Sequence, residues 1–325
     1  LIAKQEYDTV NDWWDSPYNG VTPTKLPAGR LEVTLDPTQQ ITQFELNLAT
    51  AEGIVRLSGG ASLAAFFSAR EPVALLRIPG PAPQSVALIP SGAGQAGGDA
   101  GPSSGGAVSQ LGYPPAQHDA EGAARWYVQD AADGFKYCVC VAQRRTEDAT
   151  LLAVAVTSTN DAADVLSLAR TRCAAALEAG YEALHAPHAQ WWEAFWSQSS
   201  VTLPPVALAI SRQYHLVQYF HGAASRRGAP PMPLQGVWTA DDGGLPPWKG
   251  DYHNDLNTQM TYIAYQHAGH FDEGLSYLDY LWDRREVFAE FARDFYGTSG
   301  LACPGVMSLA GQPLGGWGQY SMSPT

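Results

Sequence analysis

The first regular pattern of apolar and polar positions begins at Arg30. From there to about residue 90, short β-rich runs alternate with turn formers: Leu31–Leu35, Ile41–Leu48, Gly53–Leu57, Ser62–Phe67, Val73–Ile78 and Ser85–Ile89. Such runs recurring about every ten residues predict an antiparallel sandwich. Residues 91–110 read SGAGQAGGDAGPSSGGAVSQ, a Gly/Ser/Ala tract with little side-chain volume to bury, and predict a flexible loop. Strands resume at Ala124–Gln129, Phe135–Gln143 and Leu151–Thr157, with Asp133-Gly134 as the hairpin turn between the first two.

Beyond residue 158 the apolar period changes from two to about 3.6. Val165, Leu166, Leu168, Ala169, Cys173 and Leu177 form one stripe, preceded by Asn160 and Asp161, either of which can cap a helix. Further helices are predicted at about His188–Gln198, where Trp192, Phe195 and Trp196 share a face, and at Val206–Ser225, Asn257–His267 and Glu273–Phe291. The predicted fold is therefore α+β and multidomain: an antiparallel β-sandwich at 1–158, linker helices at 159–200, and the start of an α/α barrel at 201–325. A full (α/α)6 toroid needs about twelve helices and only about five fit, so the barrel is expected to be partial and truncated.

Composition narrows the function. Asp+Glu 32 against Lys+Arg 19 gives a net charge of -13, which repels a phosphate backbone and leaves no basic footprint for anionic lipid. Nucleic acid and membrane are not expected partners, and no apolar run approaches the length of a membrane span. The oligomeric state is not legible. Ten Trp and fifteen Tyr suit a protein that stacks rings on sugars, or a large aromatic core. Cys138, Cys140, Cys173 and Cys303 have no zinc or dithiol spacing; they read as buried thiols, Cys138 and Cys140 on one face of a strand. His267 and His270 lack a third ligand at recognisable spacing, so neither a metal nor any cofactor is expected.

The chemistry is concentrated at Leu234–Tyr265, LQGVWTADDGGLPPWKGDYHNDLNTQMTYIAY. If this stretch enters the helix near Asn257 in extended form, alternation puts Asp251, His253, Asp255 and Asn257 on one side. A carboxylate, an imidazole and an amide together can activate and hold a water molecule. Alternatively, Asp255 and Asn257 cap the helix. Trp238 and Trp248 flank the Gly/Pro loop and can stack on sugar or pack in the core, and Trp317 in Gly315–Tyr320 is another possible sugar-lining ring. Arg226 and Arg227 can orient a polar substrate or close a helix carboxyl end.

Leu234-Gln235-Gly236-Val237-Trp238, then Pro246-Pro247-Trp248, then Asp251 through Met260 and Tyr262, resemble the opening of the catalytic barrel in glycoside hydrolase family 95, the α-L-fucosidase family. Fainter likeness reaches upstream through Ser225-Arg226 and the Trp191–Trp196 helix into Leu31–Leu57. The resemblance implies an inverting exo-glycosidase acting on α-L-fucosides or related L-sugars such as α-L-galactosides, with an oligosaccharide or glycan as substrate. In that family an Asn-x-Asn pair, helped by a downstream Asp, activates water, while a downstream Glu protonates the leaving oxygen. The pair falls here on Asp255 and Asn257 as the catalytic residues, with Trp248, His253, Trp238 and Trp317 binding substrate. Asp255 departs from the family's Asn, which leaves the sugar and the identity of the base open.

The acid and the downstream Asp have no counterparts before Thr325, so the chain alone is expected to be inactive. An inverting pair needs carboxyls roughly 6.5 to 9.5 Å apart. No signal-like stretch follows Leu1; an extracellular or periplasmic location is expected from the resemblance and from polymeric glycans lying outside the cell. Two other readings stay open: a polysaccharide lyase of α/α-toroid type, which the scarcity of cations near the motif disfavours, and a non-catalytic glycan-binding protein.

Overall fold

The computed structural model describes residues 25, 27–91, 111–237 and 247–314. The chain separates into a sheet unit lying between Ala28 and Tyr219 and a helical unit from Phe220 onward.

The sheet unit contains β1 (Arg30–Thr34), β2 (Ile41–Asn47), β3 (Glu52–Leu57), β4 (Ser62–Phe67), β5 (Ala74–Pro79), β6 (Ser85–Ile89), β7 (Gln117–Glu121), β8 (Ala124–Asp130), β9 (Lys136–Arg145) and β10 (Ala149–Ser158). Eight of these form one antiparallel sheet in the order β2-β3-β4-β5-β10-β9-β8-β7, and β1 pairs with β6 as a second, two-stranded sheet. The predicted strands are all present. The Asp133-Gly134 turn closes β8 onto β9 with Asp130 opposite Lys136, and Gly134 takes the positive φ of 75° that the turn demands. The edge strand β7, QHDAE, escaped the sequence reading because every one of its residues is exposed, so it carries no apolar alternation. Most of the Gly/Ser/Ala tract, from 92 to 110, lies outside the described residues.

Alternation sends side chains to two cores. On one face Leu63, Ile78, Val141 and Leu152 pack with Leu31, Val33, Val86 and Leu88, so that β1 and β6 cover the large sheet as the second layer of a sandwich. On the other, Phe66, Leu75, Cys138, Cys140, Leu151 and Ala153 meet the stripe of α1 (Val165–Ala179): Val165, Ala169, Cys173, Ala176 and Leu177. Small residues at 153, 155, 169 and 176 let helix and sheet approach closely. The cap of α1 is Asp164, whose side chain accepts from the Ser167 N–H at 2.9 Å, rather than Asn160 or Asp161. Asp161 instead accepts from the backbone N–H and hydroxyl of Ser158 and closes the turn that leaves β10.

Helix α2 (Tyr181–Gln198) begins seven residues before the sequence expectation, because Pro187 is accommodated inside it. His188 is fully enclosed, accepts the Ala69 N–H through Nδ1 at 3.0 Å and faces the Thr50 carbonyl with Nε2 at 2.6 Å. That pairing requires the neutral Nε2–H tautomer. Trp192 and Phe195 are buried, and Trp196 donates from its indole to the Leu48 carbonyl at 2.8 Å. Helix α3 (Leu208–Ala224) follows.

The helical unit contains α4 (Asn257–Tyr262), α5 (Ala264–Ala268), α6 (Phe271–Asp283) and α7 (Arg285–Phe291), with a short ribbon of β11 (Tyr252–His253) and β12 (Val306–Met307). The predicted Glu273–Phe291 helix is broken at Arg284, and the Asn257–His267 helix is interrupted at Ile263. Its core is largely tyrosine: Tyr252, Tyr262, Tyr277 and Tyr280 with Phe288, Cys303 and Met307. Each hydroxyl has a partner. Tyr252 donates to the Pro231 carbonyl, Tyr277 to Asn254 Oδ1 and Tyr280 to the Ser308 carbonyl, all at 3.0 Å, while Tyr262 Oη accepts the Met232 N–H at 2.7 Å. Much of the aromatic content is thus core whose polar tips fasten loops. No described helix is long and apolar enough to cross a membrane.

Candidate active site

Of the polar segment singled out by the sequence, residues 234–237 and 247–265 are described. Trp248 and Lys249 hold left-handed backbone conformations, φ 56° and 58°, and Gly250 follows at φ 60°. Such angles are costly for residues with a Cβ and persist only where surrounding structure enforces them, a pattern concentrated at functional sites. The enforcing contacts are visible: the Lys25 N–H donates to the Lys249 carbonyl at 2.9 Å, and the Leu234 N–H to the Asp251 carbonyl at 2.9 Å. Trp248 packs on Val306 and Leu314.

After this turn the chain is extended for two residues only. Tyr252 pairs with Met307 and His253 with Val306; the Asn254 N–H then donates to the Gly305 carbonyl at 2.6 Å. Asn254, 1% exposed, also donates from Nδ2 to the Pro304 carbonyl at 3.1 Å and accepts from Tyr277. Gln259 donates to the Asn254 carbonyl. These bonds turn the chain at 254–256, so the expected alternation stops at His253. Asp251 and His253 are brought together, buried, with Oδ1 and Nε2 at 2.9 Å. Asp255 and Asn257 are exposed around the entry to α4 and do not continue that ladder. Nor do they cap: the cap position is Leu256, which offers no side-chain acceptor.

Electrostatically, the buried group comprises Lys249, Asp251 and His253. Burial pushes the Asp251 carboxyl above the usual range, opposed by His253 and Lys249. Burial lowers Lys249 to about 8, and Asp251 partly offsets this. The Trp248 ring meets His253 edge-on, with centroids 6.0 Å apart and planes at 80°. Of the expected sugar-binding residues, then, Trp248 and His253 are neighbours, whereas Trp238 and Trp317 lie outside the described residues.

Among the described residues no group of three or more His, Cys, Asp or Glu side chains is placed to hold a metal ion. His267 is exposed while His270 is buried beside His221, so the two do not form a pair. Arg226 donates to the Gly222 and Ser225 carbonyls, as a helix-closing residue does, and Arg227 pairs with Asp279 at 2.8 Å. All four cysteines are reduced and buried.

This segment lies within the part of the chain that matches a known domain. Residues 167–324 match the model of the glycosyl hydrolase family 95 catalytic domain. The sequence is family 95-like. An 85-residue stretch is 39% identical to "Probable alpha-fucosidase A" of Aspergillus niger, covering 25% of this chain and 10% of that protein. A solved structure from human microbiome, provisionally named a kojibiose phosphorylase, superposes with a TM-score of 0.56 at 11% identity. That alignment covers 89% of this chain and 44% of the other, so the chain spans less than half of the solved relative. At that identity the superposition supports the architecture alone, a β-sandwich followed by the opening of a helical toroid. The family 95 likeness read from Leu234–Tyr265 is thereby borne out at the level of the family.

The sequence reading left Lys249 and Asn254 without a role. Lys249 could have been found from its place in the polar run. Asn254 could not, because its partners Tyr277, Pro304 and Gly305 are 23 to 51 positions away and belong to segments with no shared pattern.

Proposed function

We propose that the chain contributes the sugar-binding and water-activating part of an inverting, exo-acting glycoside hydrolase acting on α-L-fucosides or related L-sugars such as α-L-galactosides. The observation that carries this reading is the location of Trp248, His253, Asp255 and Asn257 on one strained turn-strand-turn segment inside the family 95-matching region. Asp255 and Asn257 are exposed and uncommitted to capping, which leaves a carboxylate and an amide available to a water molecule. Asp255, in place of an amide, is the base in this reading; Asn257 holds the water, and Trp248 and His253 shape the sugar pocket. Inversion requires a second carboxyl as acid on the opposite side of the glycosidic bond. By the family likeness that acid and the assisting Asp belong to barrel loops that follow the Asp251–Asn257 segment. A glycan substrate also favours an extracellular or periplasmic location.

The test is release of p-nitrophenol from α-L-fucoside and α-L-galactoside by the complete gene product, with calorimetric titration of the free sugars into residues 1–325. Asp255→Ala and Asn257→Ala should each lower turnover by about 10²- to 10⁴-fold. Turnover that survives Asp255→Ala moves the base elsewhere. Absence of both release and binding rejects the reading.

A further inference from the structure

The segment holds a buried acid to which the proposed hydrolysis gives no task. Asp251 is 5% exposed and both of its carboxylate oxygens are closed off from solvent. Its side chain is not what ties the loop: the bond to Leu234 uses the Asp251 backbone carbonyl, and the ribbon register uses the backbone of Tyr252 and His253. A buried carboxylate is retained only with compensation by cations or donors. Here the compensating groups are Lys249, which acts on it through charge, and Nε2 of His253, which lies 2.9 Å from Oδ1 as an ion-pair contact without regular hydrogen-bond alignment. Nε2 is itself enclosed, yet the His253 side chain keeps 11% exposure, so whatever reaches His253 from outside does not meet Nε2.

We propose that Asp251 is a positioning residue for His253: its carboxylate accepts the Nε2–H, holds the ring as that tautomer, and leaves Nδ1 as an acceptor for a hydroxyl of the bound sugar. This rests on the reading of the segment as a sugar site. The two roles are chemically linked, because in a neutral imidazole a proton fixed on one nitrogen makes the other an acceptor. Trp248, edge-on to the same ring, limits its rotation. His253 then selects a ligand that offers a hydroxyl proton at this point and discriminates against the analogue in which that one hydroxyl is replaced by hydrogen.

The experiment uses residues 1–325 labelled with ¹⁵N in histidine, with His253→Gln to assign the His253 signals. Long-range ¹H–¹⁵N correlation reads the tautomer directly, and titration of L-fucose reads binding. The wild type should show Nε2–H at His253. In Asp251→Leu that preference should vanish while unfolding stays cooperative, and affinity for the sugar should weaken about 2- to 10-fold, the equivalent of one hydrogen bond. Asp251→Asn keeps an acceptor and should recover part of both. An Nδ1–H tautomer in the wild type overturns the proposal even if Asp251→Leu does not fold, as does an unchanged tautomer in a folded Asp251→Leu. A tautomer that shifts while sugar binding is unaffected overturns the acceptor half of the proposal. Absence of sugar binding in the wild type removes the sugar-site reading while leaving the orienting contact measured.

Discussion

Replacing Asn254 with alanine should cost more stability than any single surface change in the helical unit. The side chain is 1% exposed and makes two buried hydrogen bonds, Nδ2 to the Pro304 carbonyl at 3.1 Å and Oδ1 from the Tyr277 hydroxyl at 3.0 Å. Alanine leaves a carbonyl and a hydroxyl stranded in a water-poor core, at about 1–3 kcal/mol each, so a loss of about 2–6 kcal/mol is expected. Because native stability is only about 5–15 kcal/mol, a loss of that size is large. Asn254→Asp should do no better: it can still accept from Tyr277, but it puts a carboxylate against the Pro304 oxygen. The assay is urea unfolding in a double-mutant cycle with Tyr277→Phe. Once Asn254 is alanine, removing the stranded hydroxyl should cost little, giving a coupling of at least about 1 kcal/mol. Additivity within about 0.5 kcal/mol would refute the claim that this bond fixes the turn before Asp255.

Four other outcomes follow from the same structure. Gly274→Ala places a Cβ 2.3 Å from the Tyr265 ring, so a net loss of about 1–2 kcal/mol is expected after helix propensity returns about 1, with relief in a Gly274→Ala, Tyr265→Ala double variant. His221, 7% exposed, is held down to about 4 by burial, then by His270 and Arg226. A folded pKa below the unfolded 6.5 means its contribution is complete above pH 6.5 and is lost as pH falls toward about 4. The full difference is roughly 3 kcal/mol, so denaturation at pH 7 and pH 4.5 should differ, and His221→Phe should flatten the profile. Cys138, Cys140, Cys173 and Cys303 should resist a thiol reagent in native buffer and react together on unfolding, since all are buried and burial pushes Cys138 and Cys303 up to about 12; rapid native labelling of any one contradicts the packing. Trp192→Ala should cost about 3–5 kcal/mol by thermal or urea unfolding, since the ring is 2% exposed among Phe195, Trp196 and Tyr219; a change below 1 kcal/mol would contradict that burial.

The site was legible in composition and only partly in geometry. Asp251, Tyr252, His253, Asn254, Asp255 and Asn257 stand out in sequence because so many polar and aromatic groups rarely share so few positions. Their arrangement was misjudged at one point. Continuous alternation would have aligned 251, 253, 255 and 257, but Asn254 binds Gly305, Pro304 and Tyr277, and the chain turns there. A residue whose partners are distant in sequence leaves no periodic trace, which is also why the left-handed Trp248 and Lys249 could not be read in advance.

Local chemistry decided most of the elements: apolar runs between turn formers made every strand of the sheet unit but β7, an Asp-Gly pair made the β8–β9 hairpin, and the 3.6-residue stripe from Val165 laid α1 on the sheet. These depend on neighbours within a few residues, so the sequence by itself determined them, along with the family likeness of the motif. Tertiary structure alone decided that β7 joins the sheet edge without an apolar face, that Asp164 caps α1, that the tyrosines become core, and that Asp251 meets His253 in a buried pair. The tyrosine core is set by desolvation and by hydrogen-bond partners that meet only when distant segments pack; for β7, Asp164 and the Asp251–His253 pair the partners are local, and the packing around them decides which of several local conformations is adopted.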